Sequence, residues 1–177
     1  MDNKKLIAGF GYQEGRISSW DGKRTYTQAV PQMAKHCCDN GVDEILVYDW
    51  SLTDEDHEAA IAVIKEVCRE ADAPVIAGGR VKRMEDVKKY LYAGASAVFL
   101  DMSKEENVDM IKEASDRFGK EKIYAYLPTD AYLDHVKDYK AAGASVMLLN
   151  TAGSVPSLLE MASISDSEAP FLFFLQA

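Results

Sequence analysis

The 177-residue sequence predicts an α/β fold on a parallel sheet, and three observations predict it. Glycine-led apolar segments recur along the chain. Long amphipathic stretches separate them. A second landmark, Ala-Pro followed by an apolar run, recurs as well. The first kind reads Asn40-Gly41-Val42-Asp43-Glu44-Ile45-Leu46-Val47-Tyr48-Asp49, then Ala93-Gly94-Ala95-Ser96-Ala97-Val98-Phe99-Leu100-Asp101, then Ala142-Gly143-Ala144-Ser145-Val146-Met147-Leu148-Leu149-Asn150. A glycine after a helical stretch accepts the left-handed conformation that ends a helix. A short apolar run bounded in this way reads as a strand buried on both faces. The second kind reads Ala73-Pro74-Val75-Ile76-Ala77 and Ala169-Pro170-Phe171-Leu172-Phe173, with proline at the strand start, where it is tolerated.

In chain order, the pattern predicts strands near 5–11, 44–49, 74–78, 97–101, 122–127, 145–149 and 170–175. Helices are predicted over 27–40, 54–70, 81–93, 107–118, 131–142 and 157–164. The 54–70 stretch has an acidic first turn and a helical apolar pattern in Ala59, Ile61, Ile64 and Val67. Strand–helix alternation with crossovers of this length gives a parallel sheet with right-handed connections. Pro74 and Pro170 stand 96 residues apart, and Gly41 and Gly143 stand 102 apart. Two landmarks at nearly one interval suggest a duplicated block of four βα units. The expected fold is therefore a TIM-barrel-like (βα) repeat, incomplete, with about seven parallel strands and the eighth strand and helix missing. One domain over 1–177 is expected, either a fragment of a longer chain or a naturally open barrel.

Composition excludes several function classes. Hydrophobic residues make up 47% and charged residues 28%, enough for a core and against bulk disorder. The net charge is −9 and no basic stripe appears, which argues against nucleic acid or an anionic membrane as partner. No apolar run reaches the length of a membrane helix, and Met1–Leu6 resembles no signal peptide, so a cytoplasmic protein is expected. Cys37, Cys38 and Cys68 form no disulfide framework. Neighbours on a helix point about 100° apart, so His36, Cys37 and Cys38 do not converge on one ion. No metal and no cofactor are expected.

The quoted segments resemble the phosphate-binding barrels of histidine biosynthesis, which include the ribotide isomerase and the cyclase subunit of imidazole glycerol phosphate synthase. Ile7–Arg16 resembles their opening strand, Gly41–Asp49 their second, and Pro74–Val81 their third with its Gly-rich loop. The resemblance implies an acid and a base on opposite sides of a barrel mouth. The matching positions depart from it. The strand-one Asp falls at Gly11 and the loop Lys near Ser19. The third loop glycine is Arg80. The Asn-Thr pair after strand four reads Asp101-Met102, with Ser103 next. Strand five ends in Tyr126-Leu127-Pro128, with Asp130 following late. The second catalytic Asp falls within Thr151-Ala152-Gly153-Ser154. A similar degenerate barrel precedes the phosphoribosyl-AMP cyclohydrolase and phosphoribosyl-ATP pyrophosphohydrolase modules of some fused bacterial proteins.

The candidate residues carry two readings each. Gly78, Gly79 and Arg80 end a strand at the functional side of a βα fold, where glycine lets backbone approach an anion and Arg forks onto phosphate. The same residues also make a tight turn with a solvated Arg. Ser103 joins them as a phosphate candidate. Asp49, Asp101 and Asp130 are the candidate acids and bases, projecting from strand ends into a mouth. Asp49-Trp50-Ser51 and Asp101-Met102-Ser103 also suit a solvated carboxylate or a cap for the next helix. Ile17–Tyr26 reads as an exposed hairpin loop turning at Asp21-Gly22-Lys23, and its Trp20 suits a lid or a local anchor. His57 and His135 are expected at the surface. Phe171–Leu175 is expected as an apolar edge that pairs two copies of the chain, meets a missing strand or is covered by a helix.

Three functions follow. The first is a degenerate, non-catalytic barrel domain of a histidine-biosynthesis protein with residual affinity for a phosphorylated ribotide. The second is an active isomerase or cyclase with relocated acids. The third is a βα binding domain outside the pathway.

Overall fold

A computed structural model describes residues 7–128, 134–141, 146–150 and 171–174. The chain opens with strand β1 (Ile7–Gln13), which turns back antiparallel into β2 (Arg16–Ser18) and β3 (Thr25–Tyr26). There follow α1 (Val30–Asp39), β4 (Glu44–Asp49), α2 (Asp54–Glu70), β5 (Val75–Gly78), α3 (Met84–Ala93) and β6 (Ala97–Asp101). Next come α4 (Glu105–Phe118), a 3-10 turn at Lys120–Lys122, β7 (Ile123–Leu127), α5 (Val136–Ala141), β8 (Val146–Asn150) and β9 (Phe171–Phe174). This is the α/β, TIM-barrel-like repeat expected from the sequence, with seven strands alternating with helices and a short antiparallel pair added after the first.

The chain divides into two compact units, one through Val98 and one from Phe99, with the division inside β6. In the first, the strand order is β3-β2-β1-β4-β5. β1 and β4 run parallel with Gly11 opposite Tyr48, and β4 and β5 run parallel with Tyr48 opposite Gly78. In the second, the order is β6-β7-β8-β9, with β7, β8 and β9 parallel.

Element boundaries moved where local chemistry overrode periodicity. β1 runs two residues beyond the expected strand because Gln13 pairs with Arg16 in the hairpin. α3 starts at Met84 rather than 81, since the Asp86 carboxylate accepts the backbone N–H groups of Lys82 and Arg83 and fixes the first turn there. Gly41 and Gly94 take positive φ, 83° and 110°, as helix-ending glycines. The predicted helix 157–164 and the Gly143 turn lie outside the described residues.

Each helix of the first unit buries one stripe. In α2 the stripe is His57, Ala60, Ile64 and Val67, and in α3 it is Asp86, Val87, Tyr90 and Ala93. In α4 of the second unit it is Asn107, Ile111, Ala114 and Ser115. The apolar members drive packing at roughly 1.5–3 kcal/mol for each large side chain buried. In α2, α3 and α4 the leading member of the stripe is polar and sits in the first turn, whereas α1 buries Val30 and Ala34. That placement builds the site.

Candidate functional site

β4 is buried throughout, and alternation sends its side chains to two faces. Ile45, Val47 and Asp49 face α2 and α3, whereas Leu46 and Tyr48 face the other way. Asp49 is 1% exposed. Its Oδ1 accepts the Ser51 backbone N–H at 2.9 Å and the Ser51 hydroxyl at 2.5 Å. Its Oδ2 lies 2.7 Å from His57 Nδ1 and accepts the Tyr90 hydroxyl at 2.8 Å. A carboxylate offers lone pairs only, so Nδ1 carries the hydrogen. Four donors thus converge on one side chain from the turn after β4, from α2 and from α3. Asp49 does not project into a mouth and is not solvated, because its parity on β4 turns it under the helices.

His57 is likewise 1% exposed rather than at the surface. The Thr53 hydroxyl accepts the Asp56 N–H at 3.1 Å, which sets the helix start and places His57 on the inward stripe. Tracing the buried stripe back from Ile64 through Ala60 reaches His57, and that phase was the sequence signal available. Its Nε2 stands 3.6 Å from Asp86 Oδ1, and both atoms are buried without a hydrogen-bond partner. Burial first, then the Asp49 charge, pushes the Tyr90 hydroxyl well above its ordinary pKa near 10.

Gly78 closes β5 and Gly79 follows with φ 106°. A Cβ on Gly79 would stand 2.6 Å from the Tyr48 ring and 2.8 Å from the Asp49 carbonyl oxygen, so only glycine fits this turn. Arg80 is 6% exposed and not solvated. Its guanidinium donates to Asp54 Oδ1 at 2.9 Å, while its Nε is buried without a partner. That hydrogen bond, then the guanidinium charge, holds the exposed Asp54 carboxyl below the usual carboxylate range. The three phosphate candidates of this loop therefore form one turn whose cation already has an anion.

The opposite face of β4 carries aromatic rings. Tyr48 and Trp50 stack with ring centres 4.0 Å apart, 22° from parallel. Trp20 meets Tyr48 edge-on at 5.3 Å. The Trp50 indole N–H donates to the Trp20 carbonyl at 2.9 Å. Trp20 is 4% exposed, and Ile17 and Ser18 are buried too, so the expected exposed loop is packed onto the strand ends. Asp21 and Lys23 at its tip are exposed as expected, as is Tyr26 at its end, 46% open to solvent. Trp20 is an anchor. A Cβ on Gly11 would stand 2.1 Å from the Ser18 hydroxyl, 2.8 Å from the Trp50 ring and 2.9 Å from the Ser19 carbonyl.

In the second unit, Asp101 repeats the strand-end turn. Its Oδ1 accepts the Ser103 N–H at 2.9 Å and the Ser103 hydroxyl at 2.6 Å. Asp101 and Ser103 thus bond each other. Asp130 and Thr151–Ser154 lie outside the described residues. His135 is exposed, as expected, 3.5 Å from Asp138. Cys37, Cys38 and Cys68 are free and half-buried, and burial pushes the Cys68 thiol to about 11. Among the described residues no cluster of three metal-ligating side chains occurs. No helix among them is long and apolar enough to cross a membrane.

The family model described as "Histidine biosynthesis protein" matches residues 14–132. The chain belongs to that family. Among curated relatives, the "Imidazole glycerol phosphate synthase subunit HisF" of Staphylococcus aureus strains Newman, USA300 and MRSA252 is 30% identical over 137 residues. The match covers 76% of this chain and 53% of each relative. This histidine-biosynthesis chain thus spans about half the length of the curated relatives it matches.

Proposed function

We propose that this histidine-biosynthesis barrel domain is non-catalytic and serves its pathway as a scaffold or assembly element. The observation that carries the reading is the filled space at Gly11. By the resemblance, this position takes the strand-one acid of the enzymes. Here the Ser18 hydroxyl and the Trp50 ring occupy the volume that a side chain would need. Acid–base catalysis needs a titratable group within hydrogen-bond reach of the substrate. Asp49 adds support, since its carboxylate is enclosed by Ser51, His57 and Tyr90.

The test is turnover of the phosphoribosyl ribotides taken by the isomerase and by the cyclase. No turnover is expected. Turnover abolished by Asp101→Asn or Asp130→Asn would overturn the reading in favour of an active isomerase or cyclase with relocated acids.

Residual binding of a phosphorylated ribotide at Gly78, Gly79 and Arg80 is a second reading, and the unpartnered Nε of buried Arg80 favours it. Calorimetry with ribotide and with inorganic phosphate tests it. Saturable heat that Arg80→Ala weakens would support it, and no heat with either ligand would sink it. The resemblance to the barrel of fused cyclohydrolase/pyrophosphohydrolase proteins supports a longer hydrolase parent. The size of the polypeptide in a native extract checks that parentage. Sedimentation of the same preparation checks pairing of copies along β9.

A further inference from the structure

We infer that the slot bounded by Gly11, Gly22 and Tyr48 is a binding site for a planar aromatic ring, and that Trp50 is its built-in occupant, pinned by the 17–26 hairpin. Three surfaces define the slot. The Tyr48 ring forms one wall, stacked on the indole at 4.0 Å. Gly22 lies against the indole, where a Cβ would come within 3.1–3.2 Å of three ring atoms. Gly11 borders the ring edge, where a Cβ would stand 2.8 Å from Trp50 Cδ1. Two side-chain-free positions beside one tyrosine make a gap of ring thickness, suited to stacking of a flat π-system. Bulk at either glycine would close it.

The occupant is fixed by more than stacking. Its indole N–H donates to the Trp20 carbonyl, and Trp20 is itself buried against Tyr48. The hairpin is tied by Ser19 N–H to the Arg24 carbonyl at 2.8 Å and by Gly22 N–H to the Ser19 carbonyl at 2.9 Å. The Ser19 hydroxyl donates to Asp21 at 2.6 Å. A free heterocycle enters this slot only when the Trp50 indole leaves it. The Trp50 packing at Gly11 also supports the non-catalytic reading, so turnover and indole exchange are measured side by side.

Trp20 and Trp50 are the two tryptophans of the sequence, so indole signals report on this slot alone. In the wild-type protein, the Trp50 indole proton should exchange at least about a hundredfold more slowly than that of free tryptophan amide, as in a closed segment. Exchange at the free rate would overturn the built-in occupant. Trp50→Ala should bind indole saturably, because the vacated space keeps the Tyr48 ring face and the Trp20 carbonyl that hold the indole. Wild type should not bind it. A folded Trp50→Ala protein that ignores indole would overturn the slot, and wild type binding indole with shifted tryptophan signals would overturn its closure. Should Trp50→Ala fail to fold, Trp50→Leu with indole and the wild-type exchange rate decide the same points. Ribotide turnover with the indole proton still protected would sink the non-catalytic reading and leave this inference standing.

Discussion

Asp49-Trp50-Ser51 and Asp101-Met102-Ser103 make the same turn in two units and come to different ends. In both, the aspartate accepts the serine N–H at 2.9 Å and the serine hydroxyl at 2.5–2.6 Å. In both, the middle residue's N–H extends the sheet, Trp50 to the Tyr12 carbonyl and Met102 to the Tyr126 carbonyl, each at 2.9 Å. The difference comes from the helix that follows. α2 sends His57 to the Asp49 side chain, and α3 adds Tyr90. α4 sends Asn107 to the Asp101 backbone carbonyl at 3.2 Å. A tripeptide thus sets a turn, and the first turn of the next helix adds a side-chain partner to it at Asp49, making a hub, and a backbone partner at Asp101.

Removing the two aspartates tests this contrast most strongly. Asp49→Ala strands His57, Tyr90 and Ser51 in a dry layer and should destabilise the fold by about 3–5 kcal/mol. Asp101→Ala should cost about 1–2 kcal/mol, the scale of a lost cap. Urea unfolding of both variants measures the gap. Equal losses would show that the His57 and Tyr90 bonds add nothing to the shared turn.

The face opposite the hub comes next in size. Gly11→Asp restores the residue type that the resemblance places on strand one. It should destabilise by about 1–3 kcal/mol, because Ser18, Trp50 and the Ser19 carbonyl must all give way. It should also confer no turnover. Thermal unfolding alongside a ribotide assay checks both. A stable, active Gly11→Asp protein would mean that the aromatic packing yields readily.

The fold was legible because glycine and proline punctuate strands at fixed places, and burial on both faces leaves long apolar runs. The hub was not. His57 reads as polar among acids, and its inward phase depends on where Thr53 starts the helix, one residue before Asp54. Choosing Ala59 and Ile61 as stripe members rotated the helix and hid it, since Ala59 is exposed and Ala60 buried. The vacancy of the acid position at Gly11 was readable from the resemblance. Its filling by Trp50 was not, because a hairpin docking on a strand end is a contact distant in sequence that no periodicity records. Arg80 shows the same limit. Its loop is plain in sequence, but its pairing with Asp54 across 26 residues belongs to the packing of α2 against β5.

Tyr90 offers a smaller effect with a pH signature. Its hydroxyl donates to Asp49, so Tyr90→Phe should cost about 1–2 kcal/mol at neutral pH. Burial holds the folded-state pKa above the unfolded value near 10. A raised pKa contributes stability that is complete below pH ~10 and is lost as pH rises toward the folded value. Wild-type stability should therefore fall above pH ~10, and Tyr90→Phe should remove that part of the fall. Parallel alkaline limbs in the two proteins would exclude Tyr90 as a source.

The Asp54–Arg80 pair gives the smallest change and the finest discrimination. Asp54 is exposed, so its pairing stabilises little even with good geometry, and solvent screening leaves Asp54→Asn close to wild type in stability. The sign is nonetheless set. A carboxyl held below its ordinary pKa contributes what stability it has above the unfolded value and loses it as pH falls through the folded one. Titrating the Asp54 carboxyl by NMR should show that low value in wild type and its recovery in Arg80→Ala. Asp54→Asn also leaves the buried guanidinium without its anion, and inorganic phosphate then reports what Arg80 is for. Phosphate binding that appears or tightens in Asp54→Asn would show a ligand site latched by the chain's own carboxylate. Indifference to phosphate in both proteins would make Arg80 a strut that ties the loop after β5 to the start of α2.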